Sequence, residues 1–128
     1  METNAERADA AHLAYLGDAV LEVLVRRRLV REGAVHPSEE ALRFVTAQAQ
    51  SDALERILSC LTETEAAVYR RARNSVHANV PKRATVAQYR RATGFEALFG
   101  YLDLAGDTAR METLFAAAYP ETEAEGKE

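Results

Sequence analysis

The chain has 128 residues, 48% of them hydrophobic, and carries a formal net charge of −4 at pH 7. This length can bury one hydrophobic core but leaves no room for a second module. The single cysteine excludes an internal disulfide and a cysteine-based zinc site, and no run approaches the ~18 apolar residues of a membrane span. We therefore expect one soluble, cytoplasmic domain without a membrane partner.

The predicted elements are all helical. Glycines are few, prolines stand only at positions 37, 81 and 120, and no stretch alternates strictly enough for a half-buried strand. We expect helices near residues 10–32, 38–60, 63–75, 85–105 and 107–118. Residues 1–118 are assigned to one domain and the acidic residues 119–128 to a disordered tail. The predicted fold class is all-α.

Local signals support several of these helix boundaries. Thr62 with Glu65, and Thr85 with Gln88, fit the capping box, in which a hydroxyl and a longer polar side chain satisfy two backbone N–H groups reciprocally. Gly33 fits the end of the first long helix because glycine adopts the left-handed conformation that often terminates helices.

The first long helix contains two acids within its most apolar stretch. Between Leu13 and Val25 the sequence is "LAYLGDAVLEVLV", and Asp18 and Glu22 lie one turn apart on the same side. Because apolar residues occur on nearly every side, the helix is expected to be central or covered partly by a second subunit. Four of the next six residues are arginines, and we expect these to keep that end of the helix in water.

A third acid lies in the other strongly apolar run, "ATGFEALFGYLDL", where Glu96 is flanked by apolar residues on both sides. Desolvating a carboxylate costs several kcal/mol unless a cation or hydrogen-bond donors compensate. We therefore expect Asp18 and Glu96 to be desolvated and to meet such partners. The most specific candidate for the compensating cation is a divalent metal ion, and an internal ion pair with one of the arginines is the alternative.

The positive charge is concentrated in one window of the sequence. From Ala66 through Phe95 there are seven lysines and arginines and no acid, whereas the rest of the chain has 9 basic and 20 acidic residues. The window thus carries a net charge of +7 against −11 elsewhere. A basic surface that leads into a helix with a desolvated acid is what a protein binding phosphate backbones around a metal centre requires.

Three segments, in this order, resemble Mini-ribonuclease III, the compact branch of the ribonuclease III family that lacks a separate double-stranded-RNA-binding domain. They are "LAYLGDAVLEVLVRRRL", "RRARN" and "YRRATGFEALFGYL", and the resemblance runs from about Leu13 to Leu104. It implies a dimeric, all-α endonuclease-domain fold that cuts double-stranded RNA with Mg²⁺. The family's usual substrate is precursor large-subunit (23S) ribosomal RNA, and the sequence leaves open whether a large-subunit ribosomal protein assists.

The resemblance implies Asp18 and Glu96 as the metal-binding and catalytic carboxylates. Full-length ribonuclease III has two further acids in these motifs, where this chain has Ala14 and Thr93, as Mini-ribonuclease III proteins do. Glu22 lies on the same helical face as Asp18 and is a candidate to orient a ligand or a metal-bound water, although an ion pair with an arginine is an equal alternative.

Basic and amide side chains in the charged window are the candidates for RNA contact, because A-form RNA is recognised mainly through its phosphates and 2′-hydroxyls. The candidates are Arg71, Arg73, Asn74, Lys82, Arg83 and Arg90. A solvated basic face without a ligand is the alternative interpretation.

Tyr15 matches the aromatic position that contacts the partner subunit in ribonuclease III, so the resemblance implies a place in a homodimer interface. From the residues alone, a core tyrosine is the simpler interpretation. Two other functional classes remain open: a non-catalytic helical module that binds double-stranded RNA, and an all-α nucleotide pyrophosphohydrolase. The latter requires paired acidic helices, and the nearest match here, Asp52 with Glu55, is a poor one.

Overall fold

The structure, a computed structural model, describes residues 4–75 and 84–121 of the chain. Its elements are α1 (Asn4–Arg7), α2 (Ala10–Glu32), α3 (Pro37–Glu40), α4 (Leu42–Val45), α5 (Ala47–Ile57), a 3-10 turn (Leu58–Cys60), α6 (Glu63–Asn74), α7 (Val86–Leu104) and α8 (Thr108–Ala118). Within these two ranges there is no β-strand, so the predicted all-α class is confirmed. None of the described helices is long and apolar enough to cross a membrane.

Four of the five predicted helices are confirmed to within one or two residues. The predicted helix 38–60 is wrong, because this segment forms three short α-helices and a 3-10 turn. The helical backbone is interrupted at Thr46, whose backbone is extended at φ −70° and ψ 159°. The Thr46 hydroxyl accepts a hydrogen bond from the Ala49 amide at 3.1 Å and so starts α5 as a new helix.

The predicted capping signals are confirmed. The Thr62 hydroxyl accepts a hydrogen bond from the Glu65 amide at 3.1 Å, and the Glu65 carboxylate accepts one from the Thr62 amide at 2.9 Å. The same reciprocal pair joins Thr85 and Gln88 at the start of α7. Gly33 ends α2 with φ +70°, a conformation that only glycine adopts without strain. These ends are therefore fixed by interactions within four residues.

Helix α7 lies at the centre of the fold and packs against α2, α5, α6 and α8. Phe95, Leu98 and Phe99 are fully buried, and Ala97 is buried on another side of the same helix. A helix that is apolar on most sides is stable only when other elements cover most of its surface. The chain meets this requirement by packing its other helices around α7, the helix that carries Glu96.

Two expectations about charged or terminal residues are wrong. Arg28, expected in water with its neighbours, is only 6% exposed; its guanidinium donates to the Tyr119 carbonyl and lies 4.9 Å from the centre of the Phe115 ring. Tyr119, assigned to the tail, is 6% exposed, and its hydroxyl donates to the Phe44 carbonyl at 2.7 Å. The folded domain thus includes Tyr119, and residues 122–128 of the predicted tail lie outside the described residues.

Candidate active site

Two glycines allow α2 and α7 to cross in direct backbone contact. A Cβ atom at Gly17 would lie 1.6 Å from the Glu96 carbonyl oxygen, and one at Gly100 would lie 2.0 Å from the Leu13 carbonyl oxygen. No side chain fits in either space, because carbon and oxygen atoms in contact are normally more than 3 Å apart. The crossing therefore brings Asp18, which follows Gly17, next to Glu96.

The carboxyl groups of Asp18 and Glu96 lie within hydrogen-bonding reach of each other. Glu96 is half-buried, whereas Asp18 is exposed, so the expectation that both carboxylates are desolvated is correct only for Glu96. Asp18 stays in water because no described element covers that side of α2. Glu96 therefore lies on the protein side of the carboxylate pair, and Asp18 lies on the solvent side.

Glu96 is held in its protonated form at neutral pH. Burial is the largest cause that raises the pKa of Glu96 from 4.5 to about 8, and the charge of Asp18 adds to it. The protonated Glu96 carboxyl also donates a hydrogen bond to Asp18, which raises the Glu96 pKa further. In the absence of a cation, the Glu96 carboxyl group therefore stays neutral beside Asp18.

A third side chain, Gln50 on α5, completes the described site. Gln50 is only 2% exposed and lies on the face of α5 that packs against α7, and its side-chain amide opposes the rise in the Glu96 pKa, as a nearby N–H donor does. The sequence analysis did not single out this residue. Its helical spacing could have indicated that it is buried, because Gln50 lies on the same face of α5 as the buried residues Ala53, Leu54 and Ile57. A polar residue at a core position requires a polar partner.

No lysine or arginine in residues 4–75 and 84–121 forms an ion pair with Asp18 or Glu96. The internal ion pair considered as an alternative is therefore absent from the described part of the chain. These residues also contain no group of three or more histidine, cysteine or acidic side chains suited to a metal. Two carboxylates and an amide are thus the donor set that the described protein offers here.

Glu22 does not share this arrangement. Its carboxylate accepts a hydrogen bond from Arg26 at 3.3 Å across one turn of α2, and both side chains are partly or largely exposed. This is the arginine pair that the sequence analysis weighed against a role in orienting ligands. Such a solvent-exposed pair contributes little to stability, typically less than about 1 kcal/mol.

The candidate RNA-contacting residues have different surroundings. Arg71 donates to the backbone carbonyls of Glu6 at 3.0 Å and Ala8 at 2.8 Å, so it anchors the segment that precedes α2. Arg73 donates to the Asn74 side-chain oxygen at 3.1 Å and lies 5.4 Å from the centre of the Tyr69 ring.

The hydrogen bond between the Arg73 guanidinium and the Asn74 side-chain amide oxygen therefore holds both side chains together at the end of α6. Arg90 is exposed in the first half of α7. Lys82 and Arg83 lie outside the described residues.

Tyr15 is not a core tyrosine. It is 82% exposed on α2, and the same helix exposes 46% of Val23 and 77% of Val30. A recess of about 440 Å³ lies beside the two valines, lined also by Arg26, Arg27 and Arg31. The core interpretation of Tyr15 is therefore wrong, and α2 presents apolar side chains on the side that faces away from α7.

Comparison with known proteins assigns most of this chain to one family. Residues 11–107 match the ribonuclease III domain. The Mini-ribonuclease 3 of Symbiobacterium thermophilum is 47% identical over 109 residues, which cover 83% of this chain and 84% of that protein. The Mini-ribonuclease 3 of Brevibacillus brevis is 39% identical over 116 residues, covering 88% and 87%. A solved structure of a Fusobacterium nucleatum protein superposes with a TM-score of 0.84 at 26% identity, covering 93% of this chain and all of that one.

Proposed function

Because the chain belongs to the ribonuclease III family, whose members are endoribonucleases, we propose that it cleaves double-stranded RNA with Mg²⁺ bound at Asp18 and Glu96. The observation that carries the proposal is the contact between these two carboxyl groups at the glycine crossing of α2 and α7. We further propose precursor large-subunit ribosomal RNA as the substrate, on the strength of the similarity to Mini-ribonuclease 3, and therefore the cytoplasm as the location.

The donor set fits a divalent cation of the Mg²⁺ type. Magnesium binds oxygen ligands and usually keeps several waters, so two carboxylates and a substrate phosphate are sufficient protein and substrate ligands. Two acids in contact without a basic neighbour lack a positive charge, and a divalent ion supplies it. Once bound, such an ion lowers the pKa of a coordinated water and neutralises charge on the phosphate.

The protein contributes position and polarity to the reaction. Gly17 and Gly100 fix the spacing of the two backbones, so that the Asp18 and Glu96 carboxyl groups converge without movement of either helix. Phe95 and Ala97 on either side of Glu96 are fully buried, while the exposed Asp18 leaves an opening through which a phosphodiester can approach. A site held in this way needs little rearrangement when the substrate binds.

Basic side chains near the end of α6 and the start of α7 are proposed to contact the RNA backbone. Arg73 with Asn74 provides a cation and an amide side by side, and Arg90 offers an exposed cation on the helix that carries Glu96. Arg71 uses its guanidinium on two backbone carbonyls, so its proposed contribution is a local positive charge. Each phosphate contact releases counterions from the duplex and makes binding depend on salt.

We also propose that the active form is a homodimer formed through the exposed face of α2. Tyr15, Val23 and Val30 are apolar or aromatic and stay in contact with water in a single chain, which is unfavourable at about 25 cal/mol per Å². Two sites related by a two-fold axis suit cleavage of both strands of a duplex. Replacing Tyr15 with aspartate is expected to give monomers in sedimentation that no longer cut both strands, whereas an intact dimer would contradict this interface.

The function is tested with the wild-type protein and its Asp18→Asn variant on long duplex RNA and on single-stranded RNA of the same sequence, with and without Mg²⁺. Mg²⁺-dependent cutting of the duplex alone, lost in Asp18→Asn, is the expected result. Binding of duplex RNA without cutting, identical in the two proteins, would instead make the chain a non-catalytic RNA-binding module.

A further inference from the structure

Gln50 is one of four polar or charged residues buried in the described part of the chain, the others being Arg28, Ser51 and Glu65. Each of the other three has a partner that belongs to the framework of the fold. Arg28 donates to a carbonyl near the end of the described chain, Ser51 accepts from Arg91 at 3.3 Å, and Glu65 accepts from Arg110 at 2.8 Å. Gln50 alone among them forms no hydrogen bond of this kind with the framework, and its amide instead acts on the Glu96 carboxyl group of the proposed metal site by lowering its pKa.

The position of Gln50 makes an apolar residue the simpler choice for stability. It lies on the face of α5 that packs against α7, in register with the buried Ala53, Leu54 and Ile57. Leucine or methionine would fill a similar volume there without a polar group to satisfy. The amide is therefore explained by its partner, the Glu96 carboxyl group, and not by packing.

A neutral donor suits this place better than a charged one. Lysine or arginine next to Glu96 would supply the positive charge that the two acids lack and would compete with a metal ion for them. A glutamine amide can donate an N–H to one carboxylate oxygen and fix its rotamer while leaving the negative charge available. With Asp18 on one side and Gln50 on the other, Glu96 is held between α2 and α5.

We propose that Gln50 is a positioning residue that orients the Glu96 carboxylate for binding of the divalent metal. The inference rests on the proposed function and concerns the neighbour of a metal ligand, since Gln50 itself is too buried to contact RNA. Side chains that orient metal ligands typically change metal affinity or activity by about 10- to 100-fold when replaced.

The test compares Gln50→Met, which keeps the side-chain length and removes the donor, with Ser51→Ala, which removes a buried polar group one residue away. Mn²⁺ binding is measured by electron paramagnetic resonance without RNA, on wild type, both variants and Asp18→Asn. We expect the dissociation constant for Mn²⁺ to rise about 10- to 100-fold in Gln50→Met and less than about twofold in Ser51→Ala. Duplex cleavage should lose kcat at a fixed Mg²⁺ concentration, with KM for the RNA nearly unchanged, and recover at high Mg²⁺.

Unchanged Mn²⁺ affinity in Gln50→Met would overturn the inference while leaving the proposed function intact. Equal losses in Gln50→Met and Ser51→Ala, in step with a lower melting temperature, would also overturn it and make Gln50 a packing residue. Failure of the wild type both to bind Mn²⁺ and to cut duplex RNA with Mg²⁺ would instead refute the proposed function.

A second measurement needs no substitution at Gln50. In nuclear magnetic resonance spectra, Mg²⁺ and the Glu96→Gln change should each shift the Gln50 side-chain amide, and an unmoved resonance would contradict the contact.

Discussion

Replacement of Glu96 by glutamine should remove a pH dependence from the stability of the metal-free protein. The folded chain raises the pKa of Glu96 from 4.5 to about 8, mainly through burial. Between these pH values the unfolded chain has released the Glu96 proton and the folded chain has kept it. The unfolded state therefore binds fewer protons, and the wild-type protein loses stability as the pH rises from about 4.5 to 8.

The size of this loss follows from the two pKa values. Each tenfold difference in proton affinity is worth about 1.4 kcal/mol, so the interval from 4.5 to about 8 corresponds to an upper limit of about 5 kcal/mol. Glu96→Gln has nearly the same shape and stays neutral at every pH, so it lacks this loss. We expect it to gain about 2 to 4 kcal/mol on the wild type between pH 5 and pH 8.5.

The assay is urea unfolding in the presence of a chelator at several pH values, with Glu22→Gln as the control because Glu22 is an acid of α2 paired with Arg26 at the surface. Other titrating groups cancel when the two curves are subtracted. Adding saturating Mg²⁺ at pH 8.5 should raise the free energy of unfolding of the wild type and leave that of Glu96→Gln unchanged. A difference between wild type and Glu96→Gln that stays constant with pH would refute the reasoning.

Three further predictions concern the framework and the basic surface. Gly17→Ala would place its Cβ 1.6 Å from the Glu96 carbonyl oxygen, so the helices must separate; we expect at least about 2 kcal/mol lower stability in urea and at least about 100-fold slower cleavage, and wild-type values would contradict the crossing. Arg110→Ala should lower stability by about 3 kcal/mol in thermal unfolding, because Glu65 stays buried without its cation, and an unchanged melting temperature would count against that ion pair. Arg90→Ala should weaken RNA binding and reduce the slope of log affinity against log salt by about 1, whereas an unchanged slope would remove Arg90 from the interface.

The helical elements with local signals were predictable because interactions within four residues determine them. The capping boxes at Thr62 and Thr85 mark the starts of α6 and α7, and Gly33 ends α2. The prediction of a single helix over residues 38–60 was wrong. The composition of this segment favours helix throughout, and the expectation of one long helix overlooked a local signal at Thr46, the threonine that caps α5 by accepting a hydrogen bond from the Ala49 amide.

The candidate site divides in the same way. The motifs indicated Asp18 and Glu96, and the structure brings their carboxyl groups together, but the exposure of Asp18 depends on which side of α2 the other helices cover. Gln50 is in an unremarkable polar stretch of the sequence, and only the packing of α5 on α7 gives it a partner.

The sequence by itself determined the all-helical class, most helix ends, the concentration of basic residues and the two acids of the proposed metal site. Each of these features depends on residues that are close together in the sequence or on a short motif. The tertiary structure alone decided that Arg28 and Tyr119 are buried, that Tyr15 is exposed and that Gln50 meets Glu96. These outcomes depend on contacts between helices far apart in the chain. Their geometry is set by close packing across the whole bundle, down to the space left at Gly17 and Gly100.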